Sequence, residues 1–193
     1  MIFMKNPEKG QVKTRLAKDM GEDKALNVYC DLLKHTRNVV REVECDRQLY
    51  YSNHIDSNDG WSNHEFEKRL QQGENLGERM QNAFTEAFLQ AYEKVVIIGS
   101  DCISLSSPVI QKAFEALGTQ EVVIGPATDG GYYLLGMRNL LPQLFRDINW
   151  SSSEVLNQTL RTVTILNMEA TLLPLLSDVD TLDDYIAHKH LFV

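Results

Sequence analysis

The segment Val95-Val-Ile-Ile98, followed at once by Gly99-Ser-Asp101, constrains this chain more than any other. Four consecutive β-branched residues leave no polar face, so a strand here must be covered on both sides. That is the condition of a strand inside a parallel sheet. Val122 to Ile124 repeats the pattern and runs into Gly125-Pro126. Between such runs the apolar period changes to three and four. Ala25, Tyr29, Leu32, Thr36, Val39 and Val43 describe one face of a long helix, and Met80, Ala83, Phe84, Ala87, Phe88 and Ala91 a second. Met1 to Met4, Gln48 to Tyr51, Tyr132 to Leu135 and Val163 to Leu166 are further expected strands. Ser107-Pro108 is expected to open a helix, with Ser107 as its cap. Short helices are expected over Leu140 to Phe145 and Ser152 to Leu160, and Thr181 caps a last one reaching His188. Alternating strands and helices without a linker predict one α/β domain over residues 1–193, its sheet mostly parallel with helices on both faces.

Composition narrows the function. The 27 acidic side chains outnumber 19 basic ones, a formal charge of −8. Non-specific nucleic-acid binding needs the opposite balance. No run approaches the ~20 apolar residues of a membrane span. Cys30, Cys45 and Cys102 show neither a disulfide framework nor zinc-ligand spacing, so a reducing cytoplasm is the expected location. Cys102 reads as a small buried residue, and His188 and His190 as surface residues at a helix end. Neither Trp61 nor Trp150 has a stacking context in the sequence.

In open α/β sheets, ligands bind beyond the carboxyl ends of the strands. Three chemically loaded segments fall there. The first holds Lys5, Lys9, Lys13 and Arg15 within eleven residues, with Gly10 among them. Loop amides, a lysine point charge and an arginine fork suit a di- or triphosphate. The order is neither GxxxxGK[ST] nor GxGxxG, and a solvated basic loop is the alternative reading. The second is Asp101 at a buried strand's end, either a hard ligand for Mg²⁺ or Mn²⁺ or a cap for the next turn. The third, Asp129-Gly130-Gly131-Tyr132, is either a hydroxyl-binding substrate loop or a hairpin turn. Two weaker segments join these. Asp178 and Asp180 share a face in extended chain, so one of them can complete a metal site with Asp101. Gly77, at a loop-to-helix junction, leaves the backbone open to a nucleobase or simply permits the junction.

In this order the segments resemble a bacterial glycosyltransferase-like family of the nucleotide-diphospho-sugar transferase superfamily, with the GT-A fold. It is related to the molybdenum-cofactor and F420 guanylyltransferases. The specific pieces are Lys5-x-Pro-x-x-Gly-x-Val-Lys-Thr-Arg-Leu16, Gly99-Ser-Asp-Cys102, Gly125-Pro-Ala-x-Asp-Gly-Gly-Tyr-Tyr133 and Asp178-Val-Asp-Thr181. Gln72-x-Glu-x-Leu-Gly-Glu-Arg79 is similar to the family's segment before a helix, and Ile103 stands where the family usually has proline.

The resemblance implies a nucleotide site on the first loop, with Lys5, Gly10, Lys13, Arg15 and Gly77 near the nucleotide. It implies Asp101 and Asp180 as carboxylates for Mg²⁺ or Mn²⁺, and Asp129, Gly130, Gly131 and Tyr132 facing sugar or acceptor. Asp101, Lys13 and Arg15 would carry the catalysis. Two transfers are open. In one, the sugar of an NDP-sugar moves to a small-molecule acceptor; in the other, an NTP is joined to a phosphorylated acceptor. A non-catalytic nucleotide or sugar sensor is the third reading. The oligomeric state is not legible in the sequence.

Overall fold

The computed structural model describes residues 1–192, so Val193, the end of the expected domain, lies outside the described residues. Seven strands form one sheet: β1 (Ile2–Met4), β2 (Gln48–Tyr51), β3 (Glu67–Leu70), β4 (Val95–Ile98), β5 (Val122–Pro126), β6 (Tyr132–Met137) and β7 (Ala170–Leu172). Their order is β3-β2-β1-β4-β6-β5-β7. Only β6 runs against its neighbours: it pairs antiparallel with β4 (Ile98 opposite Leu134) and with β5 (Val122 opposite Met137). The other pairings are parallel.

Six helices, α1 (Thr14–Met20), α2 (Glu22–Arg41), α3 (Leu76–Leu89), α4 (Ser107–Ala116), α5 (Val155–Ile165) and α6 (Leu182–His188), flank the sheet. Successive strand residues alternate between faces, and here each face has its own core. Val96 and Ile98 join Leu16, Tyr29, Leu32 and Ile110 on the side of α1, α2 and α4. Val95 and Ile97 join Met80, Phe84 and Val163 on the side of α3 and α5. Both faces are apolar because both are covered, as the unbroken run in β4 requires.

Four local expectations are revised. Ser106, not Ser107, is the N-cap of α4, and it makes no side-chain cap bond. Val163 to Leu166 is not a strand, because α5 runs through it to Ile165. Val155, Thr159 and Val163, spaced by four, are the buried face of that helix, and packing there outweighs the β preference of branched residues. Strand β7 follows instead. Strand β3, Glu-Lys-Arg-Leu, has no apolar run to reveal it, since it is a charged edge strand beside β2. Helix α1 was also not expected within the basic segment; only Leu16 of its seven residues is buried.

Candidate active site

The parallel strands β1, β4, β5 and β7 end at the same edge of the sheet, and each delivers one loop. Lys5 and Asn6 leave β1. Asn6 is buried, and its side-chain carbonyl accepts from the amides of Asn53 and His54 while its amide donates to the His54 carbonyl. Tyr29, buried on α2, links two loops through its hydroxyl. It donates to the Lys5 carbonyl at 3.0 Å, which leaves it to accept from the Lys5 amide at 2.9 Å and from the Ser100 hydroxyl at 3.2 Å. Burial pushes this phenol above its ordinary range.

Beyond β7 the chain runs alongside the end of β5. Leu176 donates to the Pro126 carbonyl at 3.1 Å and its own carbonyl accepts from Thr128 at 2.9 Å. The fully buried Val179 then donates its amide to the Asp101 carbonyl at 3.0 Å. That bond sets Asp180 beside Asp101 although 79 positions separate them in sequence. After Asp180, Thr181 caps α6 through a reciprocal box with Asp184.

Between the two carboxylates lies Lys13. Its Nζ is 2.7 Å from Asp180 Oδ1 and 3.0 Å from Asp101 Oδ1, and its side chain is 3% exposed. Burial opposes the charge on this amine, but Asp101 and Asp180 outweigh burial and hold it above its ordinary value. The two contacts are unequal. Asp180 receives an aligned hydrogen bond. Asp101 Oδ1 is close enough for ion pairing, yet this buried oxygen has no hydrogen-bond partner in line with it. Among the described residues no three His, Cys, Asp or Glu side chains converge as a ready-made metal cage. A hard cation bound with nucleotide phosphates needs only one or two carboxylates, and an unsatisfied buried carboxylate oxygen beside a second one fits that demand.

Asp178 is the remaining acid of the cluster. Burial first, and the neighbouring Asp101 second, push its carboxyl up to about 7, against the pull of Lys13. The folded state therefore holds this proton more tightly than the unfolded chain does. Its stabilising effect is full below about pH 4 and is lost as pH rises to about 7. Asp178→Asn is expected to stabilise the metal-free protein by about 2 kcal/mol at pH 8 and to change nothing at pH 4. This is roughly half of what the full shift corresponds to at ~1.36 kcal/mol per pH unit, after screening by water and Lys13. Urea unfolding with chelator at both pH values checks it; equal effects at both would contradict the assignment.

These loops enclose a cavity of about 610 Å³ lined by Lys5, Lys13, Arg15, Asp101, Asp129, Gly131, Tyr132, Asp178 and Asp180, together with Thr14, Leu76, Trp150, Ser151, Ser152, Ser153 and Val155. Such a volume suits a small-molecule ligand. The lining combines the cations Lys5, Lys13 and Arg15, the acids Asp101, Asp129, Asp178 and Asp180, and the aromatic and hydroxylated segment from Trp150 to Ser153. Lys13 and Arg15 do not lie in an extended loop: Lys13 precedes α1 and Arg15 lies in its first turn.

Gly10, Gly77 and Gly130 are not among the lining residues. Gly10 faces the Glu22 carboxylate. Gly77 lies beneath the Trp150 indole, where a Cβ would meet Nε1 at 2.2 Å. Lys9 is drawn off into a pair with Asp23 at 2.7 Å. The Asp129 loop is indeed a hairpin turn between β5 and β6, with Asp129 Oδ1 accepting from the Gly131 amide at 2.9 Å, and the same turn borders the cavity. The Trp150-to-Val155 wall escaped the sequence reading. Its one visible signal was a tryptophan next to three serines at a helix start.

The fold defines the class: an α/β domain of the nucleotide-diphospho-sugar transferase type. The chain belongs to the bacterial family described as "uncharacterized protein conserved in bacteria (DUF2064)", whose model matches residues 35–152. It is similar, at 33% identity and a TM-score of 0.89, to the crystal structure of a candidate nucleotide-diphospho-sugar transferase from Desulfovibrio desulfuricans G20, over 97% of this chain and 86% of that one. Two more distant structures share the fold. One is the inositol-1-phosphate CTP transferase from T. maritima (14% identity, TM-score 0.57, 98% of this chain and 93% of that one). The other is the manganese complex of Rv0371C from Mycobacterium tuberculosis H37Rv (12% identity, TM-score 0.57, 99% and 96%). No curated protein matches the chain. No helix among the described residues is long and apolar enough to cross a membrane.

Proposed function

We propose that the chain is a metal-assisted transferase that takes an NDP-sugar and passes the sugar to a hydroxyl of a small-molecule acceptor. The observation that carries this reading is the pairing of Asp101 and Asp180 around Lys13 at the floor of a cavity whose rim holds Lys5 and Arg15. Lys5 and Arg15 are exposed, so their charges are available to a diphosphate. As the bond between the anomeric carbon and the diphosphate oxygen breaks, negative charge grows on the leaving nucleoside diphosphate. Cations already in place lower the energy of that state more than that of the bound substrate. Mg²⁺ or Mn²⁺ held by Asp101 and Asp180 would add to this neutralisation. Asp129 has one oxygen engaged by its own turn, and no bond from the described residues reaches the other, which is free to accept from a sugar or acceptor hydroxyl. Tyr132 and Gly131 border the same part of the cavity.

Nucleotidyl transfer from an NTP to a phosphorylated acceptor is the second reading, favoured by the three cations Lys5, Lys13 and Arg15 in one cavity. Calorimetric titration of nucleoside diphosphates, triphosphates and NDP-sugars with Mg²⁺ separates the two. Tighter binding of an NDP-sugar than of its diphosphate supports sugar transfer, and preference for a triphosphate supports the alternative. Arg15→Ala is expected to weaken every such ligand by about tenfold or more, because hydrogen bonds to charged groups contribute roughly 1.5–3 kcal/mol. Unchanged affinity across the series would remove Arg15 from the phosphate site.

A further inference from the structure

Of the four cations in the first loop, only Lys13 is buried; Lys5, Lys9 and Arg15 are exposed. A lysine is found buried only where its charge is paired, and here the partners are two carboxylates brought from different parts of the chain. The backbone is arranged for this contact. Lys13 sits in the left-handed region at φ 48°, and its carbonyl accepts from the Ala17 amide at 2.8 Å. Its side chain is not used to cap α1. Even so, the pairing is incomplete. The ammonium aligns with Asp180 and leaves Asp101 Oδ1 buried and without an aligned donor. A monocation with three directional donors thus faces more negative charge than it balances.

We infer that Lys13 is an exchangeable internal cation. Its ammonium keeps Asp101 and Asp180 together in the free protein and yields them to a divalent metal when phosphates arrive to receive it. This rests on the reading that the two carboxylates take a metal. The flexible four-carbon stem of lysine permits the move, and Lys13 already borders the cavity in which Lys5 and Arg15 await the phosphates. Metal alone takes the carboxylates but leaves the displaced, buried ammonium without a partner. Metal with phosphate gives the displaced ammonium a new partner. The two ligands are then coupled, each raising the other's affinity by the same factor. The metal therefore joins the site together with the nucleotide rather than before it.

Water-proton relaxation with Mn²⁺, which is enhanced strongly when the ion tumbles with the protein, tests this on wild type and Lys13→Met, each with and without inorganic pyrophosphate. The variant is expected to bind Mn²⁺ alone at least tenfold more tightly than wild type. Wild type is expected to gain tight Mn²⁺ binding only when pyrophosphate is added. If wild type binds Mn²⁺ with pyrophosphate but Lys13→Met binds Mn²⁺ alone no better than wild type, the exchange is wrong and the metal site stands. If no Mn²⁺ binds in any combination, the metal reading itself fails and takes this inference with it. Lys13→Gln repeats the comparison should the methionine variant not fold. An independent measurement needs only wild type: the ammonium resonance of the buried lysine in ¹⁵N-resolved NMR. It is expected to keep its position with Mg²⁺ alone and to shift when Mg²⁺ and pyrophosphate are both present. An unmoved resonance under saturation with both would overturn the exchange.

Discussion

Asp101→Asn is expected to abolish the gain in nucleotide affinity that Mg²⁺ or Mn²⁺ confers, while the protein stays folded. The fold depends on the main chain of residue 101, whose carbonyl accepts from Val179, and the substitution leaves that bond intact. What changes is the buried Oδ1, which is without an aligned donor. An amide carries no charge for a cation, and Lys13 keeps its aligned partner Asp180. In wild type, a nucleotide at about 100 times its metal-assisted dissociation constant should stabilise the fold by roughly 2.7 kcal/mol. In Asp101→Asn the metal-dependent part of that increment should vanish, and thermal melting with nucleotide, with and without metal, reads it directly. Metal enhancement surviving at full size would show that the cation is held elsewhere.

The largest loss of stability is expected from Gly130→Ala. Its φ of 88° lies in the region that favours glycine, and an added Cβ would meet the Ser153 carbonyl oxygen at 2.1 Å. Neither atom can yield cheaply, because the Gly130 carbonyl also accepts from the Leu156 amide at 2.9 Å, in the first turn of α5. Backbone strain and overlap together should cost about 3 kcal/mol, a fall of roughly 6–12 °C in Tm for a chain of this size. Two other glycines separate the contributions. Gly21 has φ 87° but open space around its Cβ position, so its alanine variant carries strain alone; Gly99 has open space and no positive φ, so its variant should be nearly silent. Equal Tm values for the Gly130 and Gly99 variants would refute the account.

The close fit at Gly130 also shows where sequence reasoning stops. Two glycines after an acid suggested room left for a ligand, but the backbone approaching Gly130 is the chain's own, at Ser153. At Gly77 too, what comes close is part of the chain, the Trp150 indole. A glycine reveals that something comes close, not what. By contrast, the strands β4 and β5 were legible, because a sheet covered on both faces needs an unbroken apolar run. The acids at strand ends were legible because topology sends every parallel strand to the same edge. Lys13 was legible as a cation of that edge, but not as the buried partner of Asp180, since nothing local records a contact across 167 positions. Strand β3 and the Trp150 wall were hidden for a related reason. An edge strand and a cavity wall answer to neighbours distant in sequence, and neither imposes a period on its own residues.

The Tyr29 hydroxyl, bound at once to both backbone groups of Lys5 and to Ser100, has a thermodynamic consequence for any ligand of this site. Binding loops commonly become ordered only when the ligand arrives, and that loss of entropy is subtracted from affinity. Here the main chain on either side of the cavity floor is fixed beforehand by a side chain reaching out of the core. On the cationic side, the freedom left to lose is that of the exposed arms of Lys5 and Arg15, at ~0.5–1.5 kcal/mol for each immobilised side chain. The entropy subtracted from affinity at this edge thus comes from side chains being held, not from the closing of the β1 loop.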